Sequence, residues 1–289
     1  MIELARALAD AWRIAFITVA APVIGSVLLL AVARLTGASW EGIERPARFA
    51  PVLVAAGAVL GLAQLAIDPP AHLKLWASWW AIGLRAVIAG ALLAFAAARL
   101  RAREAAAGTT FAAVALAIYA LLATPIASDW MLGEKPGHPV SAIGMMLTVE
   151  AIGGVSAVML VAGWGALPAR RDMARLMIAA ALGLAYLAFM DYLIVWFGNL
   201  PSRVDFYLER GTPAMVALLW SALILGLVAP VGLLSLAGER GGRVAGAAVL
   251  AGLLLFNSWW VAGGAVACAI VLTAAALCGW WSWRRAAHG

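Results

Sequence analysis

Hydrophobic positions along the chain do not alternate, and they do not recur on a single face. They run together in nine stretches of 17 to 27 residues. A bilayer core of about 30 Å takes roughly 20 helical residues to cross, so each stretch predicts a membrane-spanning helix. The stretches are Ile14 to Leu35, Ala50 to Ile67, Trp76 to Ala98, Phe111 to Ala127, Ser141 to Leu167, Met173 to Phe197, Ala214 to Leu236, Val244 to Ala262 and Ala265 to Trp283. Only Gly263 and Gly264 separate the last two, which requires a tight turn there. The pattern predicts an all-α, polytopic transmembrane bundle of about nine spans, within a range of eight to ten, as one integral membrane domain over residues 1–289.

Composition narrows the class. The chain is 65% hydrophobic and 12% charged, whereas soluble domains carry about a quarter charged residues. The sequence pI near 10 would otherwise point to nucleic acid. Here the positive charge is instead broken into small arginine groups between apolar runs, so no nucleic-acid partner is expected and the bilayer is. In the nine-span reading, Lys and Arg divide thirteen to six between the two sides. The arginine-rich side then faces the cytoplasm of a bacterial inner membrane. This puts the N-terminus and the loops around His138 and Asn199 on the periplasmic side and the C-terminus inside. Glu3 and Asp10 beside Arg6 and Arg13, with no cleavage site after a short apolar core, read as a retained first span rather than a signal peptide. Trp76, Trp79, Trp80, Trp130, Trp259 and Trp260 gather at the outer boundary and read as an aromatic belt.

Cysteine and histidine usage bounds the chemistry. Cys268 and Cys278 lie ten residues apart in the last run, pointing to different faces of a helix, and no zinc or haem-attachment spacing occurs. His72, His138 and His288 fall outside the apolar runs, so a haem held between transmembrane helices is not expected. The loops are at most about 16 residues in this reading, too short for an iron–sulfur or haem domain, which needs about 50 residues. No phosphate-cradling glycine motif is present.

Against this background Arg85, Glu150, Asp191 and Asn257 stand out, since a charge at membrane depth costs several kcal/mol unless it is paired or hydrated. At about 1.5 Å per residue, Glu150 lies about 14 Å below the outer boundary, Asp191 about 10 Å, Arg85 about 8 to 14 Å and Asn257 about 8 Å. Four helices thus carry polar groups at nearly one level. The functional reading is a shared polar cluster, an outer half-channel for protons, with Tyr119, Tyr186 and Tyr192 as relays. In the packing reading, Arg85 pairs with Glu150 or Asp191, or snorkels to the interface. Gly57 and Gly61 form a G-x-x-x-G, read as a packing face.

Several phrases resemble a known family. Ser128-Asp129-Trp130-Met131-Leu132, followed by Pro136-Gly137-His138, is similar to the D-W-x-M-S-L-x-P-H-W loop of the ActF-type membrane subunit of alternative complex III, a quinol:electron acceptor oxidoreductase of the NrfD-like group. The stretch from Phe189 to Pro201 resembles that family's aromatic run ending in I-W-Y-x-N-I-P. Leu227 to Arg243 is similar to its helix end V-P-F-x-L-L-L-S with basic residues after it, and Leu35 to Gly42 to its L-T-G-G-x-W-G turn. The matches keep their order along almost the whole chain. This sequence also departs from the pattern. His138 is shifted by one and lacks the aromatic neighbour, Asn257 stands in a phrase that is acidic in the family, and Asp191 replaces an uncharged polar residue.

The resemblance implies a cofactor-free integral subunit of a respiratory quinol oxidoreductase, structural and proton-conducting. NrfD-like, multihaem c and iron–sulfur subunits would be its partners and would carry haem c, the clusters and the quinol site. Asp191 would then replace the missing acid, with Asp129 and His138 as outer-loop candidates. Two other classes compete: a secondary transporter whose Arg85, Glu150 and Asp191 bind substrate at the midplane, and a quinone-binding NrfD-like subunit with His138 or Asp129 at the mouth of its pocket.

Overall fold

The computed structural model describes residues 2–63, 65, 71–102, 108–132, 138, 140–261, 267, 269–271 and 273. Every regular element among them is helical, as a bilayer demands of backbone groups that find no water to bond. The elements are α1 (Ile2–Thr36), α2 (Glu44–Ala47), α3 (Ala50–Ala63), α4 (Trp79–Arg101), α5 (Thr109–Met131), α6 (Ile143–Ala162), α7 (Leu167–Phe197), α8 (Pro201–Glu209), α9 (Pro213–Leu223), α10 (Ala229–Ala237) and α11 (Gly242–Val261). Among the described residues, seven helices are long and apolar enough to cross a membrane, α9 and α10 counting as one. The chain is therefore a multi-pass membrane protein with an all-α bundle fold. The predicted ninth span lies almost entirely outside the described residues, as do Cys268, Cys278, Pro136 and Gly137.

Helices α1, α6 and α11 form the centre. Their apolar windows are mostly buried, whereas those of α4, α5, α7 and α9–α10 are mostly exposed and form the lipid-facing ring. The central helices approach closely because glycine lines the contacts. A Cβ at Gly25 of α1 would come within 2.0 Å of the Ala151 carbonyl oxygen of α6, and one at Gly246 of α11 within 2.7 Å of the Ala157 oxygen. Gly57 and Gly61 do form a packing face, which lies against Ala86, Trp79 and Gly83 of α4. Helix α3 has 14 described residues, about 21 Å of rise, which is short of a full crossing.

Helices α9 and α10 are joined by a π-helical turn at Ile224–Val228. Pro230 explains its position: with no N–H, it cannot bond the Gly226 carbonyl four residues back, so the ladder widens there. Gly226 then meets Gly252 of α11, where a Cβ would lie 2.4 Å from the Gly226 Cα.

Several expectations are corrected. Helix α1 begins at Ile2, not Ile14, so Asp10 and Arg13 are not solvated flanks. Both are buried and joined at 3.1 Å. The segment read as a loop from Gly198 to Pro213 contains α8, whose Phe206 and Tyr207 pack inward, as does Arg210 just past its end. Of the six tryptophans assigned to a belt, Trp76, Trp79 and Trp80 are exposed, but Trp130, Trp259 and Trp260 are core residues. Trp130 packs edge-on against Phe16 with centroids 4.8 Å apart. A tryptophan near a helix end satisfies the same hydropathy pattern whether it faces lipid or the bundle.

Candidate functional site

The polar residues do not form one cluster. Each of the three helix-borne charges singled out in the sequence has its own partner, and the resulting groups differ in chemistry.

Arg85 of α4 is bound to Asp129 of α5, not to Glu150 or Asp191. Its Nε donates to Asp129 Oδ2 at 2.6 Å and its Nη2 to Oδ1 at 2.8 Å, a bidentate pair of the strong, geometrically specific kind. The same Nη2 donates to the Trp76 carbonyl at 2.6 Å, and the guanidinium lies 4.1 Å from the Trp76 ring centroid. The arginine side chain is 21% exposed and the aspartate 3%. Arg85 thus neutralises a buried carboxylate and reaches the interface along Trp76. The expectation of an Arg85 contact with Glu150 or Asp191 fails because residue 129, placed in a loop by the sequence reading, lies inside the extended α5.

Glu150 of α6 and Asn257 of α11 are fully buried and joined at 2.5 Å, with Asn257 Nδ2 donating to Glu150 Oε1. Asn257 Nδ2 also lies 3.3 Å from the Thr18 hydroxyl of α1, which donates to the Ile14 carbonyl at 2.8 Å. The three central helices therefore meet at one polar point. Glu150 Oε2 and Asn257 Oδ1 have no hydrogen-bond partner among the described residues. The carboxylate is held by an amide, which can donate or accept.

The third group combines α7, α8 and the loop before α6. The Tyr207 hydroxyl donates to Asp191 Oδ2 at 2.5 Å, and His138 Nε2 lies 3.8 Å from the same oxygen. His138, in the loop before α6, is buried and stacks on Phe206 with centroids 4.2 Å apart. Burial first, then the Asp191 hydrogen bond and charge, push the Tyr207 phenol far above its ordinary value, so it remains the donor. Arg210 backs this group from within. Its guanidinium donates to the Phe206, Trp259 and Trp260 carbonyls at 3.0, 2.9 and 3.0 Å and lies 3.7 Å from the Phe206 ring centroid.

A cavity of about 530 Å³ joins the second and third groups. Glu150, Tyr207 and Arg210 supply its polar lining, Tyr192 stands beside them, and Leu184, Phe256 and many other apolar side chains make up the rest. Asp191 reaches the cavity through Tyr207. Tyr192 packs edge-on to Tyr207 at 5.3 Å and stacks on Trp196 at 5.9 Å. The other two tyrosines are placed differently. Tyr119 of α5 is paired with Thr148 of α6 at 2.9 Å, and Tyr186 is 60% exposed on the outer face of α7.

Sequence reasoning missed Tyr207, Arg210 and Thr18. Phe206, Tyr207 and Arg210 are three and four apart, a spacing that puts them on one helical face. That signal was readable once a helix was placed in the short segment. Among the described residues no three His, Cys, Asp or Glu side chains gather as metal ligands would.

Compared with known proteins, the chain matches no family model, and no curated protein matches it.

Proposed function

We propose that the chain is an integral membrane subunit of an alternative-complex-III-like quinol oxidoreductase of the bacterial inner membrane, in which Glu150 and Asp191 exchange protons with the outer side. The resemblance in its loops supports the assembly, and one observation supports the proton role. Asp129, Glu150 and Asp191 are buried carboxylates that are partnered unequally. Asp129 is locked by a bidentate arginine, which fixes its charge. Glu150 is held by an amide and lines a cavity, and Asp191 is held by a phenol, Tyr207, that lines the same cavity. A neutral partner lets a carboxylate gain or lose its proton without orphaning a buried cation, which is what a relay requires. Haem c and iron–sulfur clusters belong to the partner subunits in this reading, and the quinol site to the larger NrfD-like partner.

The transporter alternative loses its premise, because Arg85 is committed to Asp129 and does not join Glu150 and Asp191 in one substrate site. The cavity favours a second reading, a quinone-binding subunit, since its wall is apolar and Glu150, Tyr207 and Arg210 offer hydrogen bonds to a polar headgroup. In both readings the arginine-rich end faces the cytoplasm.

Purification from native membranes with mass spectrometry of co-eluting chains tests the assembly. The expected companions are a multihaem c protein and a large iron–sulfur protein, and a chain that elutes alone overturns the reading. In the intact assembly, Asp191→Asn should lower proton release per quinol while leaving subunit composition unchanged. A photoreactive quinone that labels α7 or α11 here, and not the larger partner, would favour the second reading instead.

A further inference from the structure

At the arginine-rich end, the first turns of α7, the end of α10, the turn at Gly238–Gly241 and the start of α11 enclose a cavity of about 860 Å³. Five arginines line it: Arg170, Arg171, Arg175, Arg240 and Arg243. No carboxylate is among its described lining residues. Asp172, outside the lining, lies 3.7 Å from Arg175, one of the five, and accepts from the Trp40 indole at 3.2 Å. Arg170 Nε is buried without a hydrogen-bond partner among the described residues. Gly163, in the left-handed conformation that ends α6, leaves room for Arg243, whose Nη2 would lie 3.0 Å from a Cβ there.

The rest of the lining is apolar and points down the membrane. Ile178 and Leu182 continue along α7, with Val231 and Leu234 opposite on α10. From Arg171 to Leu182 the helix rises about 16 Å. Leu182 and Val231 are exposed on the outer face of the bundle, so the cavity opens sideways toward lipid. One end is cationic and donor-rich, and the other is a hydrocarbon slot open to acyl chains. A soluble phosphate compound would use only the first half of such a site. A phosphodiester with acyl chains uses both, and guanidinium forks match phosphate oxygens in pairs.

We propose that this pocket binds an anionic phospholipid of the leaflet at the arginine-rich end, with its phosphate among the five guanidiniums and an acyl chain lying along Ile178 and Leu182. Each arginine near an anionic headgroup contributes about fivefold in affinity. The inference stands apart from the assembly proposed above, because it rests only on residues at the other end of the bundle.

The test uses the purified full chain in a neutral detergent. Binding of dioleoylphosphatidylglycerol, dioleoylphosphatidylcholine and inorganic phosphate is measured by native mass spectrometry and by the shift in thermal unfolding. Retention of and stabilisation by the phosphatidylglycerol alone is expected. Arg171→Gln with Arg240→Gln should weaken that binding about 25-fold. Arg99→Gln with Arg101→Gln removes the same charge from the same end but outside the pocket, and should change it less than threefold. If the first pair does not fold, Arg175→Gln serves, since its side chain is 81% exposed, and about a fivefold loss is expected. Equal binding of phosphatidylcholine, full competition by inorganic phosphate, or an equal loss in the Arg99 and Arg101 control would each overturn the proposal.

Discussion

Glu150 and Asn257, 107 positions apart in the chain, are joined at 2.5 Å in the centre of the bundle, where α6 and α11 meet α1. The bond crosses the helix interface where both side chains are buried. Its partners are therefore coupled, and removing one side leaves the other unsatisfied in the core.

A double-mutant cycle on this pair should show that coupling. Asn257→Leu alone should lower stability by about 2 kcal/mol by stripping the donor from a buried carboxylate. Glu150→Leu with Asn257→Leu should recover part of the loss, giving a coupling of about 1 to 2 kcal/mol. Reversible unfolding in detergent or bicelles measures each corner. Strict additivity of the two single changes would mean that the contact does not hold the helices.

Arg85 and Asp129 should respond unequally. Asp129 is buried, while Arg85 reaches the surface beside Trp76. Without Asp129 the arginine can snorkel outward, but without Arg85 the carboxylate has nowhere to go. Arg85→Met should therefore cost about 3 kcal/mol and Asp129→Asn about 1 kcal/mol, after allowance for solvent at the arginine. Thermal unfolding of the two variants in parallel checks this, and the reverse order would contradict the assignment of roles.

Hydropathy made the helices legible because a membrane leaves the backbone one solution at each apolar run. The site was legible only in part, for a physical reason. Sequence depth placed Glu150 and Asn257 at comparable levels, but depth carries no information on azimuth. Arg85 was thus assigned to carboxylates at its own level when its partner was Asp129, a residue the hydropathy window had cut from the end of α5. Tyr207 and Arg210 escaped because α8 is short and polar on average, so its inward face raised no hydropathy signal. The close contacts of Gly25 and Gly252 were equally hidden, since a glycine against a neighbouring backbone and a glycine facing lipid look alike in the chain.

Those glycines give a sharp contrast. Gly25→Ala would drive a Cβ into the Ala151 backbone at 2.0 Å, with nothing flexible to move aside. It should cost about 3 kcal/mol or more and reduce the yield of folded protein. Gly232→Ala in α10 meets nothing within 4 Å and should be neutral or gain about 0.5 to 1 kcal/mol from reduced chain freedom. Comparing the monodisperse fraction after extraction, together with unfolding temperature, tests both. A tolerated Gly25→Ala would mean that α1 and α6 do not approach this closely.

Tyr207 sets an alkaline limit. Its phenol is raised above the ordinary value of 10.0 by burial and by Asp191, so the folded state holds that proton more tightly than the unfolded chain does. Stability from this group is fully present below about pH 10 and is lost as pH rises from there toward the folded value. Between those limits the unfolded chain releases a proton that the folded chain keeps, so unfolding is favoured with increasing pH. Tyr207→Phe removes the proton, and with it this share of the alkaline slope. It also removes the hydrogen bond to Asp191, so the variant should be less stable than the parent at pH 7 to 9 and should converge toward it above pH 10. Unfolding temperatures collected from pH 7 to 11 on both proteins distinguish the outcomes. Parallel curves over that whole range would mean that the phenol is not the buried donor to Asp191 and would detach that carboxylate from the cavity.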